Sequence, residues 1–459
     1  MTETRPETSA NQGTSSLGTS SQGTPNEGLV RAIGRWSVAA LTVNCIIGSG
    51  VFGLPSVLAA KLGKASVLAV LLGGVAAGVV MACFAEVSSR FHETGGPYLY
   101  AREAFGRFMG IQVAWLLWFV RLASCAANAN LFVVYLGEFF PRSSQTIPKL
   151  VILTLLIGIL AAINVRGVRA GTWLSNSFTG AKLASLGLVA LAGLFYLIAT
   201  HRVIPQANIS PASSDWAGAM VLLIFAYGGF ETALISAGEA RNPRRDMPFG
   251  LFAALITCAI LYSLIQWVVV GVLPDPGHSE RPLADVARIV MVQGMMGQGL
   301  GHAGAAVIAV GALISIYGYL SGNILSTPRV TFALAERGDF PSLFALVHPR
   351  FRTPYVSIFV FALLVWLLAV LGSFAGNATL SAGSRLFYYG LVCAALPALR
   401  RKQKTPGVVQ IPGGIFLAVA GVLICVGLVT RIEYTKSWIL AVAVAVAFTN
   451  WLAVRKSQS

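Results

Sequence analysis

The stretch IIGSGVFGLP, residues 46–55, lies inside an apolar run extending from 37 to 62. Three glycines, a serine and a proline in ten residues do not sustain a regular helix. At membrane depth, irregular backbone is tolerated only where protein encloses it or it lines a cavity. A second interruption, FAYGGFE at 225–231, falls in the sixth apolar run. Broken helices at corresponding places in two halves of a chain predict the substrate site of a secondary transporter. Close helix packing through small residues is the competing reading of the glycines. Gly-Ser-Gly followed by proline, matched by Gly-Gly in the other half, favours the breaks.

The 459 residues are 56% hydrophobic and 11% charged, whereas a soluble domain carries about 25% charged residues. Apolar residues gather in blocks long enough to span lipid, about 20 residues each. Twelve such blocks are read, at 37–62, 66–90, 108–137, 147–163, 173–200, 215–238, 247–273, 300–327, 355–373, 379–398, 411–431 and 436–454. The predicted fold is therefore all-α and integral to a membrane. The net charge of +16 invites a nucleic-acid partner. With both termini inside, however, most Lys and Arg fall between spans on that side, from Arg31 and Arg35 to Arg455 and Lys456. That bias is topology: it places both termini in the cytoplasm of a cell membrane.

Residues 1–30 read as a disordered cytoplasmic tail rich in Ser, Thr, Gly, Gln and Asn, without the apolar core of a cleavable signal. A transporter core follows at 31–400, with inverted repeats of about 37–200 and 215–398, because an odd number of spans per half reverses the second half. Two further helices and a short C-terminus occupy 401–459 after the basic cluster Arg400, Arg401, Lys402, Lys404, serving packing or a homodimer contact. The six cysteines all lie in apolar runs without zinc-type spacing, so no disulfide framework, metal or cofactor is implied.

An amino-acid zwitterion needs donors for its carboxylate and acceptors for its ammonium. A helix restarting after Gly48, Ser49 and Gly50 presents free N–H groups, a ready anion site, and Ser49 adds a hydroxyl. Carbonyls freed near Ile46, Phe225 and Ala226 would take the ammonium. Lys182 sits about 15 Å into the fifth span, where a buried ammonium is costly and functional by default; it either exchanges protons or acts as a fixed scaffold cation. Glu231, just past the second break, reads as a gating or proton-sensitive carboxylate, with a paired structural carboxylate as the alternative. Arg121 lies about 21 Å beyond Arg107 and cannot be neutralised; it either recognises an acidic substrate side chain or makes a structural ion pair. Arg385, some six residues into the tenth span, is expected to snorkel outward and carry little function. Glu86 and Arg90 (spaced i, i+4), Tyr98, Glu239 and Arg241 flank inner span ends and suit a cytoplasmic gate, or equally a solvated rim.

GSGVFGLP, ETGGPYLYAREAFG, FAYGGFETALISAGEARNPRRDMP and STPRVTFALAERGDFP, in this order, resemble motifs of the amino acid–polyamine–organocation (APC) superfamily, over about 36–400. The likeness is to arginine/agmatine exchangers, L-type transporter light subunits and bacterial cationic amino acid transporters. It implies the LeuT-type five-plus-five inverted-repeat fold with discontinuous helices 1 and 6. It also implies a site built from Ile46, Ile47, Gly48, Ser49, Gly50, Phe225, Ala226, Tyr227, Gly228 and Glu231, with Cys125 and Asn128 from the third span. Phe225 would be the aromatic lid, Tyr98 and Tyr389 gate tyrosines, and Lys182 a stand-in for the sodium of coupled relatives. An arginine like Arg121 occurs in L-type light subunits with neutral substrates, which favours its structural role. Three departures stand out. Pro328 replaces a serine before the arginine, and Phe225 replaces a tryptophan lid and its cation–π platform. The loop at 141–149 lacks a cysteine for a disulfide-linked accessory subunit.

No nucleophile motif, metal cluster or P-loop argues for an enzyme. The sequence reads as a sodium-independent amino-acid transporter, by proton symport or exchange, with small neutral amino acids favoured and cationic amino acids or polyamines the alternative.

Overall fold

A computed structural model describes residues 34–91, 95–167, 172–200, 211–235, 240–292, 297–402, 408–432 and 434–456. The tail read at 1–30 and Glu239 lie outside them. The described chain is helical: α1 (Arg35–Ile46), α2 (Gly50–Leu62), α3 (Ser66–Ser88), α4 (Gly96–Phe105), α5 (Arg107–Leu136), α6 (Thr146–Arg166), α7 (Thr172–Thr200), α8 (Ser213–Tyr227), α9 (Phe230–Ile235), α10 (Pro243–Val272), α11 (Pro282–Met291), α12 (Gly297–Glu336), α13 (Tyr355–Leu371), α14 (Phe374–Lys402), α15 (Gly414–Val429) and α16 (Tyr434–Lys456). Eight stretches are long and apolar enough to cross a bilayer, and α13, α15 and Val444–Ala453 are shorter apolar helices. Among the described residues, each of the twelve apolar runs contains helix, the first and sixth of them interrupted. The short helices α4 and α11 were not among them, being amphipathic and brief. α11 buries Leu283, Val286 and Ala287 against α7 and α12, and Arg288 ties it to Glu138 at 2.6 Å.

Large apolar side chains such as Phe195, Ile260 and Leu423 project outward, while Glu86, Lys182, Glu231 and Arg385 are buried. This is the reverse of a water-soluble fold and what a lipid solvent selects. All six cysteines are free. Around the two breaks, α14 packs on α5 and α8, α10 on α1 and α3, and α12 on α5 and α7.

Two features of helix α12 follow from one residue. Pro328 has no N–H, so the carbonyl four residues earlier, on Ile324, loses its helical donor. Asn164 of α6 supplies the replacement through its side-chain amide. A proline thus sits inside a 40-residue helix with its orphaned acceptor satisfied from a neighbouring helix.

Candidate functional site

α1 stops at Ile46 because Gly48 N turns back to Ile46 O at 2.8 Å and leaves its normal acceptor, Asn44 O, unpaired. Lys182 from α7 occupies the gap: its Nζ donates to Asn44 O at 3.1 Å and Ile47 O at 2.6 Å. The ammonium therefore clamps the carbonyl end of the first break. On the far side, α2 starts at Gly50, and the amides of Ser49, Gly50 and Val51 have no backbone acceptor among the described residues. Gly50 lets the two breaks approach closely there, since a Cβ would lie 3.2 Å from the Cα of Ala226. Ser49 is buried, and its Oγ has no partner among the described residues.

The second break falls at Gly228 and Gly229, between α8 and α9. Gly229 holds φ +110, and a side chain on it would run into the carbonyl oxygen of Cys45. Tyr262 of α10 stands between the breaks, its hydroxyl 3.3 Å from Ile46 O and 3.2 Å from Ala226 O. One proton serves two acceptors, so it donates to one at a time. Tyr262 carries no motif and was not anticipated from the sequence.

Glu231 is held by four donors. Arg385 Nε (3.2 Å) and Tyr388 OH (2.9 Å) reach Oε1, while Gly229 N (2.9 Å) and Tyr389 OH (3.0 Å) reach Oε2. The snorkelling expected of Arg385 is overturned: it is buried, donates to Ser381 Oγ at 3.0 Å, and its Cζ lies 5.7 Å from the ring centre of Phe225. Gly228 makes room, because a Cβ there would lie 2.6 Å from Arg385 Nε. The ion pair expected of Arg121 is likewise missing among the described residues. Its Nη1 lies 3.5 Å from Asn323 Oδ1.

These groups surround two adjoining cavities. The smaller, about 20 Å³, is lined by Ile46, Gly48, Ser49, Gly50, Asn128, Phe225 and Gly228, with Ser124, Tyr319 and Arg385. Asn128 donates its amide to Ser124 O at 2.8 Å, while its Oδ1 is buried without a partner among the described residues. The larger cavity, about 240 Å³, includes Arg121, Lys182, Glu231, Asn323, Ser326 and Arg385. Arg385, Tyr319 and Cys45 line both. Four residues placed in the site by sequence do not line these cavities. Cys125 is fully buried and the cavity position falls to Ser124. Ile47 offers only its carbonyl, already bonded to Lys182. Ala226 packs on Gly50, and Tyr227 turns to α3, donating to Val70 O at 3.0 Å.

A third cavity, about 180 Å³, shares Leu117 and Arg121 with the large one and opens beside Trp118, Tyr98 and Arg337. Tyr98 donates to Asp339 Oδ2 at 2.6 Å and accepts from Arg102 at 2.8 Å; Arg107 pairs with Asp339 at 2.9 Å. Burial first, then the bond to Asp339, raises the Tyr98 phenol above its usual 10. Asp339 was not anticipated. Glu86 lines none of these cavities and is not a solvated rim. It is fully buried, receives both arms of Arg400 at 2.7 Å, and has Arg90 at 3.4 Å and Ile411 N at 3.1 Å. Arg241 is exposed and lines none of them.

Two broken helices around a polar cavity, in a helical protein with many apolar spans, are the arrangement a membrane transporter needs. Comparison with known proteins agrees: the amino acid permease profile matches residues 33–449. The chain belongs to that family, within the APC superfamily. It is 27% identical over 407 residues to a methylthioribose transporter of Bacillus subtilis, covering 82% of this chain and 83% of the relative. It is 27% identical over 429 residues to the serine/threonine exchanger SteT of Bacillus subtilis, covering 92% and 95%. Cationic amino acid transporter 4 of Mus musculus is 26% identical over 397 residues, covering 82% and 61%.

Proposed function

We propose that the protein is a sodium-independent secondary transporter that moves amino acids across the cytoplasmic membrane by alternating access, with both termini inside. The supporting observation is a pair of buried, unpartnered polar atoms on one small cavity: Ser49 Oγ and Asn128 Oδ1. Leaving such atoms unpaired costs stability, and a zwitterion satisfies both. Its carboxylate takes the Ser49 hydroxyl and the first amides of α2; its ammonium takes Asn128 Oδ1. Twelve crossings, with the two breaks as helices 1 and 6 of a five-plus-five inverted repeat, suit this reading, since α1–α2 and α8–α9 begin corresponding halves. Lys182, bonded to carbonyls released by the first break, fills the place of a bound cation, which supports sodium independence.

Exchange is one mode and proton symport the other; the name of the serine/threonine exchanger leans toward the first. Radiolabelled amino-acid uptake into proteoliposomes, empty or preloaded, with and without an inward proton gradient and in the absence of sodium, separates them. Gradient-driven uptake into empty vesicles gives symport; uptake only into preloaded vesicles gives exchange. Lys182→Ala variants that lose the pH response of transport would assign the lysine to coupling, and a retained response would leave it a scaffold. No uptake of any amino acid under either condition would defeat the reading.

A further inference from the structure

The charge of the larger cavity does not balance. Among the described residues, Arg121, Lys182 and Arg385 face it, opposed by Glu231. Glu231 is already engaged by Arg385 and by three further hydrogen bonds. Lys182 is held by two neutral carbonyls. Arg121 has no carboxylate partner among the described residues and only the side-chain oxygen of Asn323 at 3.5 Å. A guanidinium cannot shed its proton, and Arg121, half-buried on the wall that the large and the third cavity share, stands within a helix long and apolar enough to cross a membrane without a counter-charge among the described residues. Such a group is satisfied by an anion that arrives with the ligand.

We infer that the larger cavity is a subsite for an anionic side chain: the preferred substrates are acidic amino acids whose distal carboxylate pairs with Arg121. The inference rests on the amino-acid reading above and names its substrate class. It replaces the small neutral side chain favoured by the sequence, and a cationic side chain would add to the existing excess of positive charge. The two cavities adjoin at Cys45, Tyr319 and Arg385, so one molecule can place its α-carboxylate and ammonium between Ser49 and Asn128 and extend its side chain past Arg385 toward Arg121. The fork of Arg121 suits a planar carboxylate held by two parallel N–H bonds, and Asn323 and Ser326 on α12 add polar wall beside it.

The experiment compares isosteres that differ in charge. Purified full-length protein in detergent is titrated with L-glutamate and L-glutamine, and with L-aspartate and L-asparagine, with L-serine and L-lysine as references, following the shift in unfolding temperature. The acids are expected to half-saturate at concentrations about tenfold or more below their amides, the worth of a charge-assisted pair. In Arg121→Gln that ratio should fall to about one, and Arg121→Lys should keep part of it. Amides or serine binding as tightly as the acids would overturn the assignment while leaving an amino-acid transporter. An Arg121→Gln protein that keeps the full ratio would also overturn it. Protection by no amino acid would overturn the parent reading as well. Should Arg121→Gln fail to fold, the wild-type ratio together with Arg121→Lys still decides.

Discussion

Lys182 Nζ lies 2.6 Å from the carbonyl oxygen of Ile47, so a side chain of one helix closes the backbone of another at the point where that backbone is broken. Replacing it by methionine keeps the length and removes the donor. Lys182→Met should lower stability by about 1–3 kcal/mol for the buried Ile47 carbonyl left without this donor, and by less for the half-buried Asn44 carbonyl, read as earlier thermal unfolding in detergent. A variant as stable as wild type would show that the ammonium does not support the break.

Ser49 behaves oppositely. Its hydroxyl is buried and unpartnered, so Ser49→Ala removes a polar atom that contributes nothing in the empty protein. Thermal stability without substrate should be unchanged or slightly raised, while substrate affinity falls about tenfold. Loss of stability with affinity intact would place the hydroxyl outside the binding site. Ser49→Trp should fill the small cavity and abolish substrate protection entirely.

The Glu231–Arg385 pair is buried on both sides. Removing one partner of such a pair costs about 3–5 kcal/mol, because the other charge stays behind unpaired. Glu231→Gln and Arg385→Met should each destabilise strongly, and the double variant should be more stable than either single one. Additive losses in that cycle would mean that the two residues act independently.

Asn164 and Pro328 form a second cycle. Asn164→Leu orphans the Ile324 carbonyl and should cost about 1–3 kcal/mol. In a Pro328→Ala background the backbone N–H returns, and the same substitution should cost less than about 1 kcal/mol. Equal costs in both backgrounds would remove the link between proline and amide.

Tyr98 should be silent in the pH profile. Its folded phenol is raised above 10, so the stability it contributes is fully present below the unfolded value and is lost only as pH rises through the folded one. Tyr98→Phe is therefore expected to leave the shape of transport against pH unchanged between about 5 and 9, although the contact with Asp339 is gone. A displaced pH optimum would contradict this.

Apolar blocks and glycine-rich breaks are local signals, which is why the helices and the positions of Ser49, Glu231 and Lys182 could be read along the chain. What escaped depends on partners distant in sequence or on small errors of register. α14 begins at Phe374, ahead of the apolar block read from 379. Arg385 therefore lies about 16 Å along its helix instead of about 9 Å, too far to snorkel to the membrane surface. Cys125 and Ser124 differ by one residue, which on a helix is a rotation of about 100°, enough to exchange a buried thiol for a cavity hydroxyl. Tyr262 and Asp339 act through partners distant in sequence and leave no periodic trace.

Gly229 and Cys45 meet backbone to backbone, with no space for a side chain between them. Each belongs to a different break, and α1 and α9 are pressed together there. Two joints that share a bearing surface are not expected to swing separately: a bend in α1 would displace the start of α9, and with it the Glu231 that holds Arg385. The halves of the site are in this sense geared, and a methyl group at position 229 would jam the gear before it reached any ligand.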